Sequence, residues 1–141
     1  MFFRQYHLPC LSIFSYLIGD ETTGRAVVVD PQRDITGYLN DAAAHGLRIE
    51  RVIETHFHAD FLSGHLELAR ATGAVISYGD KARAEFPIDA LAHGQRLPLA
   101  AVVLEIRHTP GHTPESISVV VSEQATDTEP WAVLTLTAYD H

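Results

Sequence analysis

The sequence predicts an α/β domain, and three observations lead there. Short β-branched runs alternate with stretches of helical spacing. One apolar strand, Arg51-Val52-Ile53, leads through a polar motif into a helix-patterned segment, Leu66 to Ala71. No linker, repeat or low-complexity segment divides the 141 residues, so they form one domain, 1–141. A chain of this length buries about two-thirds of its unfolded surface.

In chain order, Phe2 to Tyr6 and Leu11 to Ile18 read as strands, and the polar, glycine-bounded Gly19 to Gly24 turns the chain back. Ala26 to Asp30 is a β-branched strand stopped by Pro31. Asp34 can cap a helix running to about His45, with Ile35, Leu39 and Ala42 or Ala43 on one face and Gly46 as its stop. Ile49 to Glu54 is the next strand. Ser63 can cap the helix after it, and Gly73 ends that helix. Ala74 to Ser77 reads as a short strand and Asp80 to Phe86 as one or two helical turns closed by Pro87. Ile88 to Pro98 has no period and reads as loop. Val102 to Ile106, Ile117 to Ser122 and Trp131 to Leu136 read as strands, with Trp131 and the Phe residues as core.

Composition narrows the function classes. A hydrophobic content of 46% and a charged content of 20% describe an ordinary soluble globular chain. The net charge of −8, with no Lys/Arg cluster, argues against a nucleic-acid surface. The single Cys10 excludes an internal disulfide and a multi-thiolate zinc site, and fits a reducing, cytoplasmic compartment. Leu8 to Gly19 imitates a signal peptide. Its basic region is one residue, no small-residue cleavage site follows, and it is too short to span a bilayer, so it reads as a buried strand. No membrane partner is expected. Neither a phosphate-binding glycine loop nor a Gly-x-Ser-x-Gly elbow is present.

The chemistry concentrates in Glu54-Thr55-His56-Phe57-His58-Ala59-Asp60-Phe61-Leu62-Ser63-Gly64-His65, where a strand ends and a helix begins. In an extended segment, residues at i, i+2 and i+4 point to one side, so His56, His58 and Asp60 can converge on one ion. A second loop, His108-Thr109-Pro110-Gly111-His112-Thr113-Pro114-Glu115-Ser116, also follows a strand. Its prolines and glycine stiffen the backbone around His112, the natural additional ligand. His108, at the strand end, competes with it but fits a supporting role better. His65, on the helix side, reads as a packing or hydrogen-bonding residue.

These two loops resemble the metallo-β-lactamase fold superfamily, which implies an αββα sandwich, here mainly its N-terminal half. The run Glu54 to Ala71 and the segments Tyr16-Leu17-Ile18-Gly19 and Val29-Asp30-Pro31 most resemble its persulfide dioxygenase branch, in the bacterial form often fused to rhodanese domains. The likeness spans Gln5 to Thr135. It implies non-haem iron(II), with zinc as the alternative, and oxidation of glutathione persulfide to sulfite. Carried over, His56 and His112 are iron ligands, while His58 and Asp60 orient the site. In the glyoxalase II-type thiolester hydrolases of the superfamily, a His follows that Asp. Phe61 here removes a usual ligand of a second metal, so one metal fits better than two.

The chain departs from the pattern at its end. The family's Gly-Asp ligand after the last strand has no counterpart in Leu136-Thr137-Ala138-Tyr139-Asp140-His141, which points to truncation or a frame change near Thr135. Asp140 is the residue left to act as third metal ligand, with His141 beside it. A glyoxalase II-like thiolester hydrolase with zinc is the second reading, against which Phe61 argues, and a non-catalytic metal-binding fragment is the third. A partial sandwich would leave sheet surface uncovered, which predicts self-association.

Overall fold

The computed structural model describes residues 1–8, 13–55, 64–79, 89–109, 116–124, 126–127 and 129–134. Among the described residues, ten strands and two helices follow in the order β1 (Phe2–Leu8), β2 (Ile13–Asp20), β3 (Arg25–Val29), α1 (Thr36–Ala44), β4 (Arg48–Ile53), α2 (His65–Thr72), β5 (Val75–Gly79), β6 (Asp89–Leu91), β7 (Arg96–Leu99), β8 (Val102–His108), β9 (Ile117–Ser122) and β10 (Ala132–Leu134). They build two sheets, ordered β1-β2-β3-β4-β5-β6 and β10-β9-β8-β7. In the first, β1 to β3 are antiparallel and β3 to β6 parallel. The second is antiparallel throughout.

The β-branched runs have a direct cause. β3 is covered on both faces, so consecutive residues Ala26 to Val29 are all buried. Val27 and Val29 join Ile18, Leu104, Ile106 and Val119 in the core between the sheets. Ala26 and Val28 join Leu17, Tyr38, Val52 and Leu68 in a second core beneath the helices. The α/β class and the two-sheet architecture are as expected.

Local signals also hold. Gly73 closes α2 in the left-handed conformation, φ 75°. Gly46, φ 65°, follows α1. That helix starts at Thr36 with Ile35 as its N-cap residue and no side-chain cap, so Asp34 is not the cap expected of it; its carboxylate accepts the Thr36 N–H at 3.0 Å from one residue earlier. Its inward stripe is Tyr38 and Ala42. Tyr38 stands three residues from Ile35 and four from Ala42, on the expected face.

Two further readings need correction. The stretch 88–98 is not all loop, because it contains β6 and β7. β6 pairs in parallel with β5, and Asp89 is fixed by the Arg51 guanidinium, which also reaches Ser77 at 2.6 Å. β7 lies at a sheet edge, where Pro98 is tolerated opposite Val103. Trp131 is not core. It is 48% exposed and its ring meets that of Phe3 at a tilt of 60°, with centroids 4.7 Å apart. The helical turns expected at 80–86, the Ser63 cap and Cys10 lie outside the described residues.

Candidate functional site

The carboxyl ends of the parallel strands β3, β4 and β5 all reach the same edge of the sandwich, and both chemistry-bearing stretches leave from that edge. His56, His58, Asp60, His112 and Asp140 themselves lie outside the described residues. The residues that root them are described in atomic detail.

The His56-x-His58-x-Asp60 stretch departs from Thr55 and returns at Gly64. Thr55 is buried and held by Asp30, the residue after β3. The Thr55 N–H donates to Asp30 Oδ1 at 2.8 Å and its hydroxyl to Oδ2 at 2.6 Å, so one carboxylate grips backbone and side chain together. Asp30 does this from a left-handed backbone conformation, φ 53°, which costs free energy for any residue with a Cβ and is least unfavourable for Asp and Asn. The apolar run ends and Pro31 follows, so the sequence places that turn where the carboxylate faces the end of β4.

The return point is equally constrained. The Gly64 N–H donates to the Pro31 carbonyl at 3.3 Å. A Cβ at Gly64 would collide with the Gln32 carbonyl oxygen and the Ile35 side chain. Glycine is needed here for close approach, its φ of −81° being ordinary. The Tyr38 hydroxyl supports this segment from below, accepting the Gln32 N–H at 2.7 Å and sharing a hydrogen bond with Ser15 Oγ at 2.7 Å. Burial pushes the Tyr38 phenol up from its ordinary pKa, with the Glu54 and Asp30 carboxylates adding to the effect.

The second loop is rooted beside the first. The Thr109 N–H donates to the Ser116 carbonyl at 3.0 Å, closing the stretch that contains His112. The next residue, Ile117, donates its N–H to the Thr55 carbonyl at 2.8 Å. A backbone hydrogen bond therefore joins the residue before His56 to the strand that begins after the His112 loop, across the two sheets. Thr109 Oγ1 and Ser118 Oγ, 3.1 Å apart, reinforce the junction.

His65, the first residue of α2, places Nδ1 3.2 Å from Oε1 of the fully buried Glu54, in keeping with the packing role expected of it. His108 is structural too. Its N–H donates to His93 Nδ1 at 2.9 Å, and its ring lies 5.6 Å from that of His93. Sequence reasoning missed Asp30 as a fastener, and also Glu54 and Tyr38. The available signal was a polar residue directly after an apolar run, Asp30 after Val29 and Glu54-Thr55 after Ile53. Among the described residues, no helix is long and apolar enough to cross a membrane.

Comparison with known proteins agrees with this architecture. The hydroxyacylglutathione hydrolase of Anaeromyxobacter dehalogenans is 39% identical over 105 residues, 74% of this chain and 40% of that one. The mitochondrial persulfide dioxygenase ETHE1 of Homo sapiens is 30% identical over 126 residues, 86% of this chain and 48% of that one. The chain thus spans less than half the length of either relative. Among solved structures, a metallo-beta-lactamase from Staphylococcus aureus subsp. aureus COL superimposes with a TM-score of 0.87 at 36% identity, covering 96% of this chain and 42% of that one. ETHE1 from Myxococcus xanthus superimposes with a TM-score of 0.77 at 32% identity, covering 86% and 54%. The sequence pattern of the metallo-beta-lactamase superfamily matches residues 8–126, and the chain belongs to that superfamily.

Proposed function

We propose that this chain carries the metal-binding part of a persulfide dioxygenase-type domain and acts on glutathione persulfide. The observation that supports it best is the Ile117–Thr55 hydrogen bond, which starts the His56 and His112 stretches from adjoining points. The donor types fit iron(II): two neutral imidazoles, His56 and His112, with Asp140 as the carboxylate. When bound, the iron supplies redox chemistry with O₂ beside the persulfide sulfur. His58 and Asp60 act as catalytic groups that orient the ligands and the substrate, and Asp30 fixes the root from which they extend. The persulfide dioxygenase relative supports this substrate class.

The test is metal content and oxygen uptake on protein purified anaerobically with iron(II) and given glutathione persulfide. One iron per chain and persulfide-dependent uptake are expected. No stoichiometric iron and no uptake would overturn the reading.

A second reading is favoured by the hydroxyacylglutathione hydrolase relative at 39% identity. It is a zinc-dependent thiolester hydrolase, in which a metal-bound water of lowered pKa is the nucleophile. Stoichiometric zinc with hydrolysis of a glutathione thiolester, and no oxygen uptake, would select it. In either reading the partner is a small thiol compound in the cytoplasm rather than nucleic acid or membrane. Self-association belongs to the same proposal. The outer face of the second sheet holds an open cleft of about 690 Å³ where Val120 and Val133 stand among Arg96, Glu105 and Arg107, a surface that a second copy can cover.

A further inference from the structure

The two faces of the second sheet are covered differently. Leu104, Ile106, Val119 and Val121 turn inward to the core against the first sheet. The outer face is open: it floors the cleft of about 690 Å³, and no residue of α1 or α2 lines that cleft. Strand pairing fixes what stands there. Val133 is opposite Val120, Val120 opposite Glu105, and Glu105 opposite Arg96, so one row crosses all four strands. On β8, Arg107 stands two residues beyond Glu105, on the same face and about 6.8 Å further along the strand. Its Nε donates to Glu105 Oε2 at 2.7 Å. The row is apolar at one end, where Val133 is 53% exposed, and charged at the other. Counted as the chain's net charge of −8 is, with histidines neutral, the cleft is balanced, Arg96 and Arg107 against Glu105 and Asp127. Two copies of so acidic a chain repel, and on a balanced surface they can meet without adding to that repulsion.

We propose that the outer face of the second sheet is a dimer interface between two copies of this chain. Its two-fold axis lies in the plane of the interface and crosses the strands between Glu105 and Arg107. About that axis Glu105 of each copy faces Arg107 of the other, while Val120 and Val133 meet their own counterparts. A guanidinium carries five N–H donors, so Arg107 can hold both the carboxylate beside it and the one opposite. Four strands and the seven residues of β8 give a face of about 19 Å by 24 Å, or roughly 450 Å² per copy. That is below the roughly 800 Å² per partner of stable complexes, so the dimer is weak and concentration-dependent. It is the form that the proposed self-association takes, and it does not depend on the metal.

Sedimentation equilibrium over a range of concentrations tests the interface, with circular dichroism confirming that each variant folds. The parent chain is expected to pass from monomer to dimer as concentration rises. Glu105→Arg sets guanidinium against guanidinium, and Arg107→Glu sets carboxylate against carboxylate. Each should raise the dissociation constant at least about tenfold. An equimolar mixture of the two should dimerise as the parent does, because a copy with two arginines then faces a copy with two glutamates. The exchanged variant Glu105→Arg/Arg107→Glu should dimerise alone. Val133→Glu, at a half-exposed position, brings two carboxylates together and should weaken the dimer by a similar factor, which keeps the test decisive should a charge variant fail to fold. A parent chain that stays monomeric would overturn the interface together with the proposed self-association, and leave the face to solvent or to another protein. A dimer that all three single variants keep would place association elsewhere on the molecule and overturn the interface alone. So would a weakening that neither the mixture nor the exchanged variant repairs.

Discussion

The two ends of the sandwich are fastened by the same device and put to different use. At one end, Asp20 terminates β2. Its Oδ1 accepts the N–H groups of Thr22 and Thr23 at 2.8 and 3.2 Å, and Oδ2 accepts that of Ala101 at 3.2 Å. This carboxylate locks the β2–β3 turn to the β7–β8 turn, and short turns connect the strands there. At the other end, Asp30 follows β3 and grips Thr55, and both histidine-bearing stretches are rooted around that bond. A buried aspartate paired to backbone N–H groups is thus neutral with respect to function. What distinguishes the site end is the sequence beyond the fastener, which carries His56, His58, Asp60 and His112.

The largest effect should come from breaking the fastener at the site end. Asp30→Ala removes two charge-assisted hydrogen bonds and leaves a left-handed Ala, for a loss of about 3–5 kcal/mol in urea unfolding. Asp30→Asn, which tolerates that φ and keeps one acceptor, should lose less than half of this. Metal uptake is expected to fall with both. Full uptake in Asp30→Ala would mean that Thr55 needs no such anchor. Gly64→Ala comes next, at about 2–3 kcal/mol, because the Gln32 carbonyl that meets the new methyl is backbone and cannot swing away. A neutral Gly64→Ala would show that the approach of α2 to residues 31–35 is adjustable.

The control at the other end is Asp20→Asn. It should cost about 1–2 kcal/mol at neutral pH and leave metal uptake unchanged. Its pH dependence has a definite sign. Burial opposes ionisation of Asp20, but the N–H groups of Thr23, Thr22 and Ala101 outweigh it and hold the carboxyl below its ordinary pKa. A depressed folded pKa contributes stability above the unfolded value of about 3.9, and that stability is lost as pH falls through the folded value. Parent and variant should therefore differ most above about pH 5 and converge in stronger acid. Asp41 adds an acid-labile contribution of the same sign, because its bonds to the Tyr6 hydroxyl and to Arg4 hold its carboxyl low.

How much of this was legible follows from sequence separation. The strand ending at Ile53 and the helix over Leu66 to Ala71 could be read because each periodic run lies within one short window. The Gly73 stop could be read because a left-handed helix end favours glycine locally. The fasteners could not. Asp30 and Thr55 are 25 residues apart, and only parallel pairing of β3 with β4 brings them together. β6 was missed for the same reason, since its three residues depend on β5 and on Arg51, 38 residues before Asp89. Trp131 was misjudged because a strand-like position does not say which face is covered.

The smallest expected effect sharpens the comparison most, because it separates strain from bonding. Among the described residues, each end carries one non-glycine residue in the left-handed region, Asp30 at φ 53° and Ala100 at φ 60°. Ala100 belongs to the β7–β8 turn and has no polar side chain to offset its conformation. Ala100→Gly relieves about 1–2 kcal/mol of steric cost against about 0.5–1 kcal/mol of added chain entropy in the unfolded state. A net gain of about 0.5 kcal/mol is expected. Asp30→Gly relieves the same strain but loses both bonds to Thr55, so it should destabilise. Opposite signs in thermal unfolding would show that the left-handed turn at Asp30 is held for the sake of its carboxylate. A gain in both variants would reduce Asp30 to a second strained turn, and its link to the site would lose its physical basis.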